Sequence, residues 1–136
     1  MNITVSKEAG RVPVTILRLE GQLDGQSYQQ LIDKAKEEYE AGARNFLIDM
    51  SDLTYLSSAG LVALHSIALL TSGDELPSTE QGWPTYRSMK HISSSRPQPH
   101  VKLLNPRKEV KSVLEMVGFT AAFEIFTDVE QAIQSF

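Results

Sequence analysis

The stretch best equipped for chemistry is L-T-Y-L-S-S-A-G-L, residues 53–61, where the adjacent hydroxyls of Ser57 and Ser58 precede two of the smallest side chains, Ala59 and Gly60. A hydrolase nucleophile would sit in a G-x-S-x-G turn, but the residue two before either serine is Tyr55 or Leu56. It would also need a base. His65 falls within the helix predicted to follow and reads as a half-buried packing residue, while His91 and His100 lie in or beside a Ser- and Pro-rich segment. No His, Asp or Glu pair at i, i+4 spacing forms a cluster with a third ligand, and neither G-x-G-x-x-G nor G-x-x-x-x-G-K occurs. Asp24 precedes a predicted helix and Asp52 falls in a predicted turn, so capping and turn roles are favoured over paired-carboxylate chemistry with Asp49. The chain is therefore expected not to be an enzyme and to need no cofactor or metal. What remains is a helix N-terminus carrying hydroxyls. Its first N–H groups are unsatisfied and its dipole presents about half a positive charge, so Ser58 can either cap the helix or accommodate an anion. Ala59 and Gly60 are expected to leave the surface open to close approach by a second protein.

The elements that must position this stretch follow from periodicity. N-I-T-V-S and V-T-I-L-R-L-E-G alternate apolar and polar residues across the turn chemistry of K-E-A-G-R-V, which predicts a hairpin. Tyr28, Leu31, Ile32, Ala35 and Tyr39 share one helical face, with a capping box in S-Y-Q-Q and an end near Gly42. N-F-L-I-D-M is nearly all apolar, as a strand covered on both faces should be, and is expected at the sheet centre. The helix after L-S-S-A-G turns Leu61, Leu64 and Ala68 inward and fades at T-S-G-D-E-L-P. H-V-K-L-L-N predicts a strand. N-P-R-K-E-V-K-S-V-L-E-M-V-G predicts a helix with Asn105 at its N-cap, Pro106 in its first turn and Gly118 closing it. A-F-E-I-F-T then predicts a short strand, and T-D-V-E a capping box for a last helix. The order β-β-α-β-α-β-α-β-α predicts an α/β fold: a mostly parallel sheet with an antiparallel N-terminal strand, flanked by helices. Sites in such sheets gather at the carboxyl ends of the strands, where S-S-A-G lies.

Composition sets the remaining limits. A chain of 136 residues that is 41% hydrophobic suits one domain, residues 1–136. Thirteen basic against seventeen acidic residues give no general attraction to nucleic acid or anionic lipid. There is no cysteine, and no apolar run is long enough to cross a bilayer, so a cytoplasmic protein without membrane insertion is expected. Residues 71–100 stand apart: ten of the thirty are Ser or Pro, and the apolar ones follow no period, which predicts an insertion rather than a second domain. It reads either as a solvated loop or as a partner-contacting arm anchored by Trp83 and Tyr86.

The stretches L-R-L-E-G-Q-L-D, F-L-I-D-M-S-D-L-T-Y-L-S-S-A-G-L-V-A-L and H-V-K-L-L-N-P-R-K-E-V-K-S-V-L-E-M-V-G-F, in that order, resemble the STAS domain, the family of bacterial anti-sigma factor antagonists. The resemblance implies that Ser58 matches a phosphoacceptor and Gly60 the glycine after it. Gly21 and Asp24 match the neighbouring G-x-L-D loop, and Asp49 and Ser51 the strand exit. It also implies a signal-transduction protein of transcription regulation whose partner is an anti-sigma factor with serine kinase activity, met through Gly21, Asp24, Ser57, Ser58, Ala59 and Gly60. Ser57 stands where the family usually has Asp, and Ala59 where it has Ser or Thr. Those departures favour an alternative, a non-phosphorylated scaffold assembled with other STAS subunits in a stress-signalling or lipid-transport complex.

Overall fold

The computed structural model describes residues 1–72 and 98–136. Most of the predicted insertion, with Trp83, Tyr86 and His91, lies outside these. Thr71 and Ser72 at its start still belong to a helix, and His100 at its end leads directly into a strand through the bond from the Phe46 N–H to its carbonyl at 2.8 Å.

Among the described residues five strands run β1 (Asn2–Ala9), β2 (Pro13–Leu23), β3 (Phe46–Leu56), β4 (Val101–Leu104) and β5 (Ile125–Phe126), and they lie in the sheet in that same order. β1 pairs antiparallel with β2 from Asn2 opposite Glu20 to Ala9 opposite Pro13, and all later pairings are parallel. The mixed α/β fold and the central β3 are as the apolar patterning predicts. Phe46, Leu47, Ile48 and Met50 are fully buried because successive side chains enter opposite cores.

Those two cores differ in size. On one face Leu17, Leu19, Phe46, Ile48, Met50, Val101 and Leu103 pack against α1 (Tyr28–Glu40), α2 (Ser58–Ser72), α3 (Lys108–Met116) and the single turn α4 (Phe119–Ala122). The T-shaped pair Phe119–Phe123, with centroids 5.4 Å apart, closes that core beside α3. On the other face Val14, Ile16, Leu47 and Leu104 form a smaller cluster with Ala132 and Ile133 of α5 (Val129–Gln134), edged by Val12, Phe126 and Phe136. Lys102 sits on this second face with its ammonium on the carbonyl and hydroxyl of Ser135, each at 3.0 Å, which ties the end of α5 to β4.

Several local expectations change. β2 and β3 both run past their predicted ends, to Leu23 and Leu56, because each supplies the other's ladder; Asp52 is therefore a strand residue rather than a turn residue. The S-Y-Q-Q box is not made, since the Ser27 hydroxyl donates to the Gln22 carbonyl at 2.7 Å instead of serving the helix. Asn105 is not a cap: it adopts φ 52° and its amide donates to the Ser51 hydroxyl, so α3 starts after Arg107. Asp128, not Thr127, caps the last helix, accepting from the Glu130 N–H at 3.2 Å. The turn α4 falls where only the approach to a strand was expected.

Candidate functional site

The site is built where β2 and β3 end side by side. Beyond Asp49, which lies opposite Leu104, β3 has no β4 partner and continues for seven residues with β2 alone. Two register irregularities, between Arg18 and Glu20 and between Gly21 and Gln22, bend this overhang. Gly21 takes φ 108°, a backbone conformation open to glycine, and its carbonyl accepts from the Thr54 hydroxyl at 3.0 Å. The bend keeps Leu23, Leu53 and Leu56 in the large core while Thr54 and Tyr55 face outward.

From there the chain turns into α2 at a fixed angle. The Ser57 N–H donates to the Leu23 carbonyl at 3.0 Å, locking the start of the helix to the end of β2. The Ser57 hydroxyl accepts from the Gly60 N–H at 3.4 Å, and its carbonyl accepts from the Leu61 N–H at 3.2 Å. Ser57 is thus the N-cap, in the geometry that Ser and Asp share. Ser58 becomes the first helical residue, exposed, and among the described residues no hydrogen bond engages its hydroxyl. One serine of the pair organises the helix and the other is left available.

Ala59 and Gly60 do not open the surface, which corrects the expectation drawn from their size. Ala59 is 1% exposed and Gly60 is buried. A Cβ on Gly60 would lie 2.4 Å from Leu56 Cδ1 and 3.0 Å from both Leu23 Cγ and the Leu23 carbonyl oxygen. The missing side chain lets α2 press against the strand ends, so these residues position Ser58 from beneath. His65 is likewise more deeply placed than expected, at 2% exposure. From Ala59 to Ala68 the whole helix is buried, packed on α1, β3 and β4, as a helix apolar all round must be.

Asp24 shapes the neighbouring loop. One of its carboxylate oxygens accepts from the Gln26 N–H at 3.0 Å, and from the N–H and the hydroxyl of Ser27, each at 3.2 Å. The Gln26 N–H, followed by the Ser27 groups, holds this carboxyl below the ordinary carboxylate range, so it carries its charge at neutral pH. An open polar hollow of about 380 Å³ beside it is lined by Met1, Gln22, Asp24, Gln26, Ser27 and Gln30.

Asp49 and Ser51 do not join this group. The Ser51 hydroxyl donates to Asp49 at 2.6 Å and accepts from the Asn105 amide at 3.2 Å, and the Arg107 guanidinium reaches the Ser51 carbonyl at 3.0 Å. Their bonds tie β3 to the β4–α3 link. Asp52 is taken up by Arg18, whose guanidinium is held protonated even more firmly than usual by that carboxylate. Among the described residues no three acidic or imidazole side chains are grouped to hold a metal ion, and no helix is long and apolar enough to cross a membrane. The residue that sequence reasoning passed over is Tyr55, 50% exposed on the overhang. Its signal was an aromatic side chain at the polar end of a strand, three positions before Ser58.

Residues 5–71, from β1 to the end of α2, match the STAS domain. No curated protein sequence gives a significant match. Similar solved structures include an anti-sigma factor antagonist from Mycobacterium paratuberculosis, 13% identical over 98% of this chain and 93% of that one, with a TM-score of 0.65. The anti-sigma factor antagonist SpoIIAA in its unphosphorylated form is 18% identical over 96% of this chain and 93% of its own, with a TM-score of 0.56. The Bacillus cell fate determinant SpoIIAA in the phosphorylated form is 15% identical over 97% and 96%, with a TM-score of 0.57. At these identities the likeness is one of fold.

Proposed function

We propose that this chain, a member of the STAS-domain family, is an anti-sigma factor antagonist: a regulatory binding protein that docks on an anti-sigma factor of the serine-kinase type and is switched by phosphorylation of Ser58. The carrying observation is that Ser57 caps α2 while Ser58, one residue on, is exposed at its first turn. A phosphate there adds about −1.5 to −2 charges. The positive end of a 15-residue helix offsets that charge within the domain. A partner surface that already carries ATP phosphates or acids has no such compensation and is repelled.

A coupling of ~2–3 kcal/mol, within the usual range for two-site switches, changes partner affinity about 30- to 150-fold without refolding the domain. The docking face in this reading comprises Gly21, Asp24, Ser57 and Ser58, with Ala59 and Gly60 supporting it from below. The protein acts in the cytoplasm and has no catalytic role of its own; the partner supplies the kinase.

Incubation with an ATP-binding anti-sigma kinase from the source cell, followed by mass spectrometry, tests the reading. A single phosphate at Ser58, absent from Ser58→Ala, is expected; label elsewhere, or none, overturns it. A second reading, a scaffold subunit of a larger complex, is favoured by one observation: residue 59 is a buried alanine with no hydroxyl to offer a partner. Recovery from the source cell in a large multi-subunit assembly, without a kinase, would decide for it.

A further inference from the structure

We infer that Tyr55 is the principal docking anchor for the kinase-type partner, a role that rests on the proposed function and adds to it the residue that supplies binding energy. Three large apolar side chains are exposed among the described residues: Tyr55, Met116 and Val129. Met116 belongs to α3 and Val129 to α5, whereas Tyr55 lies on the overhang that leads into Ser58. Three trans peptide links of about 3.8 Å separate the two Cα atoms, so they stand no more than about 11 Å apart. A specific interface of ordinary size covers about 800 Å² of each partner, a disc of roughly 16 Å radius. A footprint of that size centred on Ser58 is wide enough to include Tyr55, which is exposed as Ser58 is.

The setting suits an anchor. Tyr55 lies opposite Gln22 in the β2–β3 ladder, and Asp24 follows Gln22 by two residues, so an aromatic ring, an amide and a fixed carboxylate share one end of the sheet. The backbone beneath is held by buried Leu53 and Leu56 on either side and by the Thr54–Gly21 bond. A ring on a rigid support loses little freedom on binding, and tyrosine is among the residues that dominate interface energies when half-exposed before association. The partner in this reading is the ATP-binding anti-sigma kinase itself. The remaining face around Ser58 is polar and supplies orientation more than affinity.

The experiment measures binding and phosphorylation of the full chain by that purified kinase, comparing wild type with Tyr55→Thr, which keeps a strand-forming residue, Tyr55→Phe, which keeps the ring, and Ser58→Ala. Tyr55→Thr is expected to raise Kd and the kinase's KM at least tenfold with kcat within twofold, and Tyr55→Phe to remain within threefold of wild type on both. An unchanged urea midpoint in Tyr55→Thr would show that the loss lies in docking. If Tyr55→Thr binds and is phosphorylated as wild type, or loses kcat and stability together, the anchor role is overturned while the Ser58 switch stands. If wild type itself neither binds nor accepts phosphate from the kinase, the proposed function falls and this role with it.

Discussion

The two adjacent serines divide one job into two. The Ser57 hydroxyl accepts from the Gly60 N–H and its own N–H donates to the Leu23 carbonyl, whereas the Ser58 hydroxyl has no partner among the described residues. Replacing an N-cap serine by alanine costs about 1 kcal/mol. Removing an exposed hydroxyl at the first helical position changes stability by less than about 0.5 kcal/mol. Urea unfolding of Ser57→Ala and Ser58→Ala should separate them by that margin, with Ser57→Ala the less stable. Equal stabilities would mean that the cap is not the reason for Ser57. The sequence could place a capping serine here but could not choose between the two, because the choice depends on the Leu23 carbonyl, 34 residues away along the chain. The same long-range control acts at Asn105, whose amide is drawn off by Ser51, whereas the Ser27 hydroxyl is drawn off locally, by the Gln22 carbonyl five residues earlier.

At the level of elements, the site is the overhang of β2 and β3 together with the start of α2, and Gly60 is the point where they meet. Alanine in a helix interior normally gains about 1 kcal/mol over glycine. Here its Cβ would press on Leu56 and on the Leu23 backbone, and overpacking of this kind costs about 1–3 kcal/mol. Gly60→Ala should therefore be destabilised by about 1 kcal/mol net in thermal or urea unfolding, and a stabilised variant would contradict the close packing of α2 on the strand ends. Element order and type were legible because alternation in β1 and β2, the apolar run of β3 and the helical spacing in α1 and α3 are local signals. The overhang was not. Residues 51–56 mix Asp, Thr and Tyr with buried leucines and become a strand only because Glu20 to Leu23 lie alongside. α4 escaped notice for a similar reason: four residues, F-T-A-A, carry no period of their own, and their helical turn is fixed by Phe119 and Phe123 entering the core beside α3.

The molecule as a whole carries its helices unevenly. Among the described residues four pack on one face of the sheet, while α5 covers part of the other, held by Lys102 at Ser135. The parallel connections place the starts of α1, α2 and α3 at the carboxyl edge of the sheet, so Asp24, Ser58 and Tyr55 stand at or beside the ends of strands and helices. On this arrangement a phosphate at Ser58 is expected to alter a contact between proteins and to leave the domain folded. The most direct test is a calorimetric titration of the ATP-bound kinase with the unmodified chain and with the chain phosphorylated at Ser58, alongside a thermal melt of each form. Affinity about 30- to 150-fold weaker is expected for the phosphorylated chain, with closely similar melting temperatures. Affinities within twofold of each other, or a phosphorylated chain that has lost its cooperative melt, would contradict the Ser58 switch.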